Sequence, residues 1–158
     1  MTDTDRSDLL TAIRSAVAAA PNPESAMRQT VQLLKDAIPY YTWAGIYVLE
    51  GDELVLGPFM GKPSPHTRIP LGNGICGAAA TEKATIVVDD VNADPRYLAC
   101  SIETKSEIVV PIMAGAPGQQ VVLGEIDIDS DTPAAFGQAD RRLLEQVASL
   151  LAESLSEE

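Results

Sequence analysis

Hydrophobic residues recur at helical spacing in three long stretches of the chain. The first stretch is residues 7–20, for which Ser7 is the predicted N-cap. The second is residues 23–38, which Asn22 precedes as a predicted cap, and the third is residues 139–156. Each stripe is long enough for several helical turns, so the pattern predicts three amphipathic helices.

From residue 40 onward the pattern changes to short runs of apolar, β-branched and aromatic residues, which are typical of strands. Residues 61–70 are predicted to form a loop and residues 76–82 a short helix. The predicted strands are residues 43–49, 53–60, 85–89, 108–113 and 121–129. This order of elements predicts an α+β fold, an antiparallel sheet with helices packed mainly on one face.

Length and composition favour one domain that spans residues 1–158, with residues 1–6 and 156–158 as frayed tails. Apolar residues make up 46% of the chain, which is enough for a hydrophobic core. The formal net charge of −12 argues against nucleic acid or an anionic membrane as a partner. The start of the chain is polar and no apolar run is long enough to span a bilayer, so we expect a cytoplasmic protein.

Acidic residues alternate along the last predicted strand. Glu125, Asp127 and Asp129 share one face, because alternate side chains of a strand point the same way. A solvated sheet face would accommodate them without partners, whereas an enclosed cluster would be costly unless it served a ligand. Cys100 closes a polar loop and Glu107 precedes the neighbouring strand. We therefore expect these residues to meet around one small polar ligand.

Other candidate residues allow two interpretations each. Trp43 and Tyr47 share a strand face and either pack in the core or line a ligand pocket. Cys76, near the start of the short helix, is either a thiol with a lowered pKa or a small buried hydrophobe. His66 is the sole histidine, so we expect no metal, and nothing in the sequence indicates a cofactor.

Six short motifs, spread from residue 41 to the C-terminal helix, together resemble one family. The sequence is similar to the free methionine-(R)-sulfoxide reductases, which are single GAF domains. The motifs are Trp43-Ala44-Gly45-Ile46-Tyr47, Leu56-Gly57-Pro58-Phe59, Gly74-Ile75-Cys76-Gly77, Ala99-Cys100, Ser106-Glu107-Ile108-Val109 and Asp127-Ile128-Asp129-Ser130. The resemblance implies a GAF-like fold and the reduction of free methionine sulfoxide.

The resemblance also assigns roles to residues of this chain. Cys100 would be the nucleophile that becomes a sulfenic acid, and Cys76 would then form a disulfide that thioredoxin reduces. The substrate-binding acids would be Glu107, Asp127 and Asp129. One of them would be protonated as the acid for the leaving oxygen, and the ionised ones would hold the ammonium of a free amino acid.

The same resemblance implies that Trp43 and Tyr47 hold the methyl-thio end of the substrate, and that the protein forms a homodimer. In one feature the chain departs from the family pattern. The family usually carries a third cysteine before the Arg-Ile-Pro segment, and Pro65-His66 occupies that region here. This leaves Cys76 as the internal candidate for resolving the sulfenic acid. The alternative function is a non-catalytic GAF module that senses a small ligand or the redox state.

Overall fold

The computed structural model describes residues 1–97 and 103–156, and within them it has four α-helices and a six-stranded sheet. The helices are α1 (Asp3–Ala19), α2 (Pro23–Ala37), α3 (Gly74–Glu82) and α4 (Gln138–Ser156). The strands are β1 (Trp43–Glu50), β2 (Glu53–Met60), β3 (Arg68–Pro70), β4 (Ile86–Val88), β5 (Ser106–Ala114) and β6 (Val121–Ser130). A 3₁₀ turn covers Val91–Ala93.

The strands are arranged in the order β3-β2-β1-β6-β5-β4, and every neighbouring pair is antiparallel. The two hairpins, β1–β2 and β5–β6, therefore meet through β1 and β6 at the centre of the sheet. This pairing brings the N-terminal half of β1 beside the acidic C-terminal half of β6, with Trp43 opposite Asp129.

Two hydrophobic clusters cover the two faces of the sheet. The larger cluster packs α1, α2 and α4 against side chains such as Ile46 and Ile128, both fully buried. The smaller cluster packs α3 against the other face, where Tyr47 and Val109 lie. Three of the four helices in the described part of the chain thus share one face, which confirms the predicted α+β arrangement.

The first helix begins earlier than the sequence pattern predicted. Thr2 is its N-cap, and the helix starts at Asp3. The Thr2 hydroxyl accepts a hydrogen bond from the Asp5 backbone N–H at 3.1 Å, and the Asp5 carboxylate accepts one from the Thr2 N–H at 3.0 Å. This reciprocal capping box satisfies two N–H groups, so the predicted cap at Ser7 was wrong. Most of residues 1–6, which the sequence analysis treated as a tail, belongs to the helix.

The second helix begins as predicted, because the Asn22 side chain accepts a hydrogen bond from the Ser25 N–H at 2.8 Å and Pro23 occupies the first helical position. The predicted loop at residues 61–70 ends in the short edge strand β3, in which Ile69 pairs with Leu54. A strand of this length contains too few residues to show an alternating pattern. No helix within residues 1–97 and 103–156 is long and apolar enough to cross a membrane.

Candidate active site

The acidic side chains of β6 lie on the face of the sheet that α3 covers. Glu125, Asp127 and Asp129 have relative exposures of 0%, 2% and 4%. Glu107 of β5 pairs with Asp129 across the sheet and is also buried. Four acidic side chains thus converge in the interior, which excludes the solvated-face interpretation of the sequence pattern.

A cavity of about 100 Å³ lies at the end of the sheet where β1 and β6 pair. Trp43 and Asp129 both line it, so the structure brings together the predicted aromatic wall and one predicted acid. Other residues of its wall were not predicted from the sequence; they are Thr42, Lys62, Pro63, Ser64, Glu103, Thr104 and Asp131. We call this space the outer pocket.

A second, smaller cavity of about 20 Å³ lies beneath α3. We call it the inner cavity. It brings together four predicted site residues, Tyr47, Cys76, Glu107 and Asp127, and is also lined by His66, Ile69, Gly74 and Ile75. Glu107 of the inner cavity and Asp129 of the outer pocket are paired residues on neighbouring strands. The two spaces therefore lie next to each other on the sheet. Cys100, the predicted nucleophile, lies outside the residues that the structure describes.

The Trp43 indole is held in place from three sides. Its Nε1 donates a hydrogen bond to the Lys62 carbonyl oxygen at 2.9 Å, and its ring stacks on Phe59 with centroids 5.7 Å apart. Gly45 leaves room for the ring, since a Cβ atom at this position would overlap the indole. The indole is therefore a fixed wall next to Asp129. Tyr47 is also fixed, because its hydroxyl donates to the His66 carbonyl oxygen at 2.8 Å.

The Cys76 thiol is buried at the start of α3 and donates a hydrogen bond to Asp127 Oδ2 at 3.5 Å. Burial raises the pKa of this thiol well above its usual value, and the negative charges of Asp127 and Glu125 raise it further. The hypothesis of a lowered thiol pKa was wrong, because desolvation and nearby acids outweigh the effect of the helix N-terminus.

Burial also raises the pKa of the carboxyl groups on β6. The pKa of Glu125 and that of Asp129 are well above their usual values, through desolvation first and the Asp127 charge second. The pKa of Asp127 is raised by desolvation, although hydrogen bonds from its neighbours oppose the shift. Burial and crowding of these acids favour their protonated forms, which is the condition that a proton donor beside a negative charge requires.

The sequence profile of the GAF domain family matches residues 22–155. The free methionine-R-sulfoxide reductase of Escherichia coli is 35% identical over 130 residues, which are 82% of this chain and 76% of that protein. The chain belongs to this GAF family of reductases. The predicted family is therefore confirmed, and it is a family of oxidoreductases.

The yeast member of the family, free methionine-R-sulfoxide reductase of Saccharomyces cerevisiae, is 45% identical over 115 residues. The match covers 71% of this chain, which spans only 62% of the yeast protein. An X-ray structure of the Neisseria meningitidis reductase in complex with its substrate superposes with a TM-score of 0.89 at 36% identity. It covers 99% of this chain and 92% of the other, so the GAF fold extends over nearly the whole chain.

At the rim of the outer pocket of this GAF domain, Lys62 and Glu103 form an ion pair at 3.1 Å. Their side chains are 74% and 62% exposed, so the pair adds little stability. The two residues lie far apart in the sequence, and no periodic pattern or motif connects them. Sequence analysis therefore could not have found this pair.

Glu125 is the most enclosed acid of the cluster. Within the described residues, neither of its carboxylate oxygens has a hydrogen-bond partner. Desolvation raises the pKa of Glu125 well above its usual value, so between the usual and the raised pKa the native chain holds a proton that the unfolded chain releases. Stability therefore falls as pH rises from the usual carboxyl pKa towards the raised native value.

Glu125→Gln should flatten this pH dependence, because the amide has no proton to release on unfolding. The slope of unfolding free energy against pH should become less negative by up to about 1.4 kcal/mol per pH unit at pH values above the usual carboxyl pKa. Urea unfolding at several pH values measures the slope. Glu50→Gln, an exposed acid on β1, is the matched control and should keep the wild-type slope. An unchanged slope in Glu125→Gln would mean that Glu125 is ionised in the native protein.

Proposed function

We propose that this chain reduces free methionine-(R)-sulfoxide to methionine with the Cys100 thiolate. The observation that carries the proposal is the acid face, which is the buried set of Glu107, Asp127 and Asp129. The fixed Trp43 indole lies beside it in the outer pocket, and the Cys76 thiol lies beside it in the inner cavity. Membership of the family supports it, since relatives bear the name of this reductase and one was solved with its substrate.

Substrate binding follows from the chemistry of the outer pocket. The Asp129 carboxyl, together with Asp127, provides negative charge for the ammonium group of a free amino acid. The Trp43 ring provides an apolar surface for the methyl-thio end, because sulfur packs well on aromatic rings. A peptide-bound sulfoxide lacks the ammonium, so the acids would then face an uncharged amide.

The chemical step is a displacement at sulfur. The Cys100 thiolate attacks the electrophilic sulfur of the sulfoxide, and a protonated carboxyl of the cluster donates its proton to the oxygen. This attack forms a bond between the Cys100 sulfur and the methionine sulfur. The protonated oxygen then moves from the methionine sulfur to the Cys100 sulfur, the S–O bond to methionine and the S–S bond both break, and methionine leaves with Cys100 as a sulfenic acid. The thiol is thereby oxidised by two electrons and the sulfoxide is reduced by two.

Cys76 then resolves the sulfenic acid. Asp127 Oδ2, which already accepts the hydrogen bond from the Cys76 thiol, takes its proton. The Cys76 thiolate then attacks the Cys100 sulfur, the S–O bond breaks, and the hydroxyl takes up that proton and leaves as water. The product is a Cys76–Cys100 disulfide, which cytoplasmic thioredoxin reduces by thiol exchange. Because Cys76 is buried and its pKa is raised, we expect resolution to be slower than attack.

The test is methionine release from the separate epimers of free methionine sulfoxide, with dithiothreitol as the reductant. The R epimer should be consumed over many turnovers, and the S epimer should remain. The site holds the ammonium and the methyl group in fixed positions, so only one face of the sulfoxide sulfur is presented to Cys100. Release from neither epimer, with binding still detectable by calorimetry, would instead favour the non-catalytic GAF sensing module.

A further inference from the structure

We propose that the inner cavity is a binding site for one divalent cation of the zinc class, held by Cys76, Glu107 and Asp127. The ion would inhibit the enzyme reversibly by occupying the resolving thiol and two acids of the site. The inhibitory consequence rests on the proposed function, whereas the binding site itself does not.

The three donor atoms have the spacing that such an ion needs. The Cys76 sulfur and one carboxylate oxygen each from Glu107 and Asp127 all lie within 4.8 Å of one another. The Cys76 Sγ to Asp127 Oδ2 distance is 3.5 Å. In a tetrahedral zinc site with usual bond lengths, a sulfur and an oxygen ligand are about 3.6 Å apart. One edge of the tetrahedron is therefore already in place.

The size of the cavity favours an ion over the sulfoxide. Its volume of about 20 Å³ suits one water molecule or one cation, since a single water needs roughly 10–15 Å³ by this measure. The outer pocket, at about 100 Å³, is the larger space. A cation would thus occupy a space that is too small for a whole amino acid.

An unsatisfied oxygen atom supplies a second, independent argument. Asp127 is 2% exposed, and its Oδ1 atom has no hydrogen-bond partner within the described residues. Buried acceptors without donors are costly, and a divalent cation removes this cost directly.

The donor set also indicates which cations bind. One thiolate with two carboxylates suits zinc and its softer analogue cadmium, whereas magnesium and calcium prefer oxygen ligands alone. The cation would displace the thiol proton on binding. The sequence-based expectation of no metal considered histidine ligands, and the donors here are a thiol and two acids from three separate elements.

Cadmium is the probe for the experiment, because its bond to a thiolate gives an ultraviolet charge-transfer band. Reduced wild-type protein should bind one equivalent of cadmium with this band, and its Tm should rise by about 5–10 °C at a hundredfold excess over Kd. Magnesium should produce neither change. Cys76→Ser should lose the band, and Cys100→Ser, which keeps the proposed ligands, should retain it.

Asp127→Asn keeps the shape of the side chain and provides a second test if Cys76→Ser does not fold. It should keep a weakened band, with cadmium affinity lower by at least about tenfold, whereas the exposed control Glu153→Gln should bind like the wild type. Absence of the band in the wild type, or a band that survives in Cys76→Ser and disappears in Cys100→Ser, would overturn the proposal.

Zinc inhibition is measured separately from binding. Zinc should inhibit turnover of the wild type, and a chelator should restore it. Saturating methionine sulfoxide should weaken the binding of cadmium, since the ammonium and the metal both use the Asp127 carboxylate. If the cadmium band forms but no epimer of the sulfoxide is reduced, the proposed function fails and the metal site stands. If the sulfoxide is reduced and no band forms, only the metal site fails.

Discussion

Cys100→Ser is expected to abolish methionine formation even in a single turnover, because no nucleophile remains to attack the sulfoxide sulfur. Cys76→Ser should still release about one methionine per chain, since attack and resolution are separate steps. It should then stall with thioredoxin as the reductant. Rapid-quench measurement of methionine, with substrate in excess over protein, separates the two variants.

The mass of the intact protein provides a control for the comparison of Cys100→Ser with Cys76→Ser. Wild-type protein treated with substrate and no reductant should lose two hydrogens, as a Cys76–Cys100 disulfide requires. Cys76→Ser should instead gain one oxygen at Cys100. If Cys76→Ser loses the first methionine while Cys100→Ser keeps it, the roles of the two cysteines are reversed.

Glu107→Gln and Asp129→Asn should each lower kcat/KM by about a hundredfold or more, the scale of losing a general acid or a charged anchor. Both side chains are buried next to each other in the β5–β6 pair, and neither amide can give up a proton or hold an ammonium by charge. Steady-state kinetics with free methionine-(R)-sulfoxide measures the loss.

The amide variants should fold, because neutral side chains relieve repulsion in the carboxylate cluster. Circular dichroism and thermal melting check this. Asp52→Asn, an exposed acid in the turn between β1 and β2, is the matched control and should keep wild-type kinetics. Near-normal kinetics in each of the three variants Glu107→Gln, Asp127→Asn and Asp129→Asn would show that these acids take no part in the mechanism.

The sequence was sufficient to predict most of the sheet and the shared face of its acids. The period of two along β6 assigns Glu125, Asp127 and Asp129 to one face without further information. The same periodicity does not indicate whether this face is exposed to solvent or buried. Burial depends on α3, which packs across this face through contacts that are distant in the sequence.

The environment of Cys76 could not be predicted for the same reason. A position near a helix N-terminus suggests a lowered thiol pKa, and the sequence alone does not reveal the desolvation and the acids of β6 that raise it. The division of the site into an outer pocket and an inner cavity also arises from tertiary packing. The start of α1 was missed because Asp5, and not the usual Glu or Gln, completes the capping box with Thr2.

The most direct test of the central claim compares free methionine-(R)-sulfoxide with its N-acetyl derivative on the wild-type protein. Acetylation removes the ammonium and leaves the sulfoxide unchanged, so it isolates the contact that the buried acids of β6 would make. We predict that kcat/KM falls by at least about a hundredfold for the acetylated compound, because buried charges are left unpaired. Equal kcat/KM values for the two compounds would contradict the account.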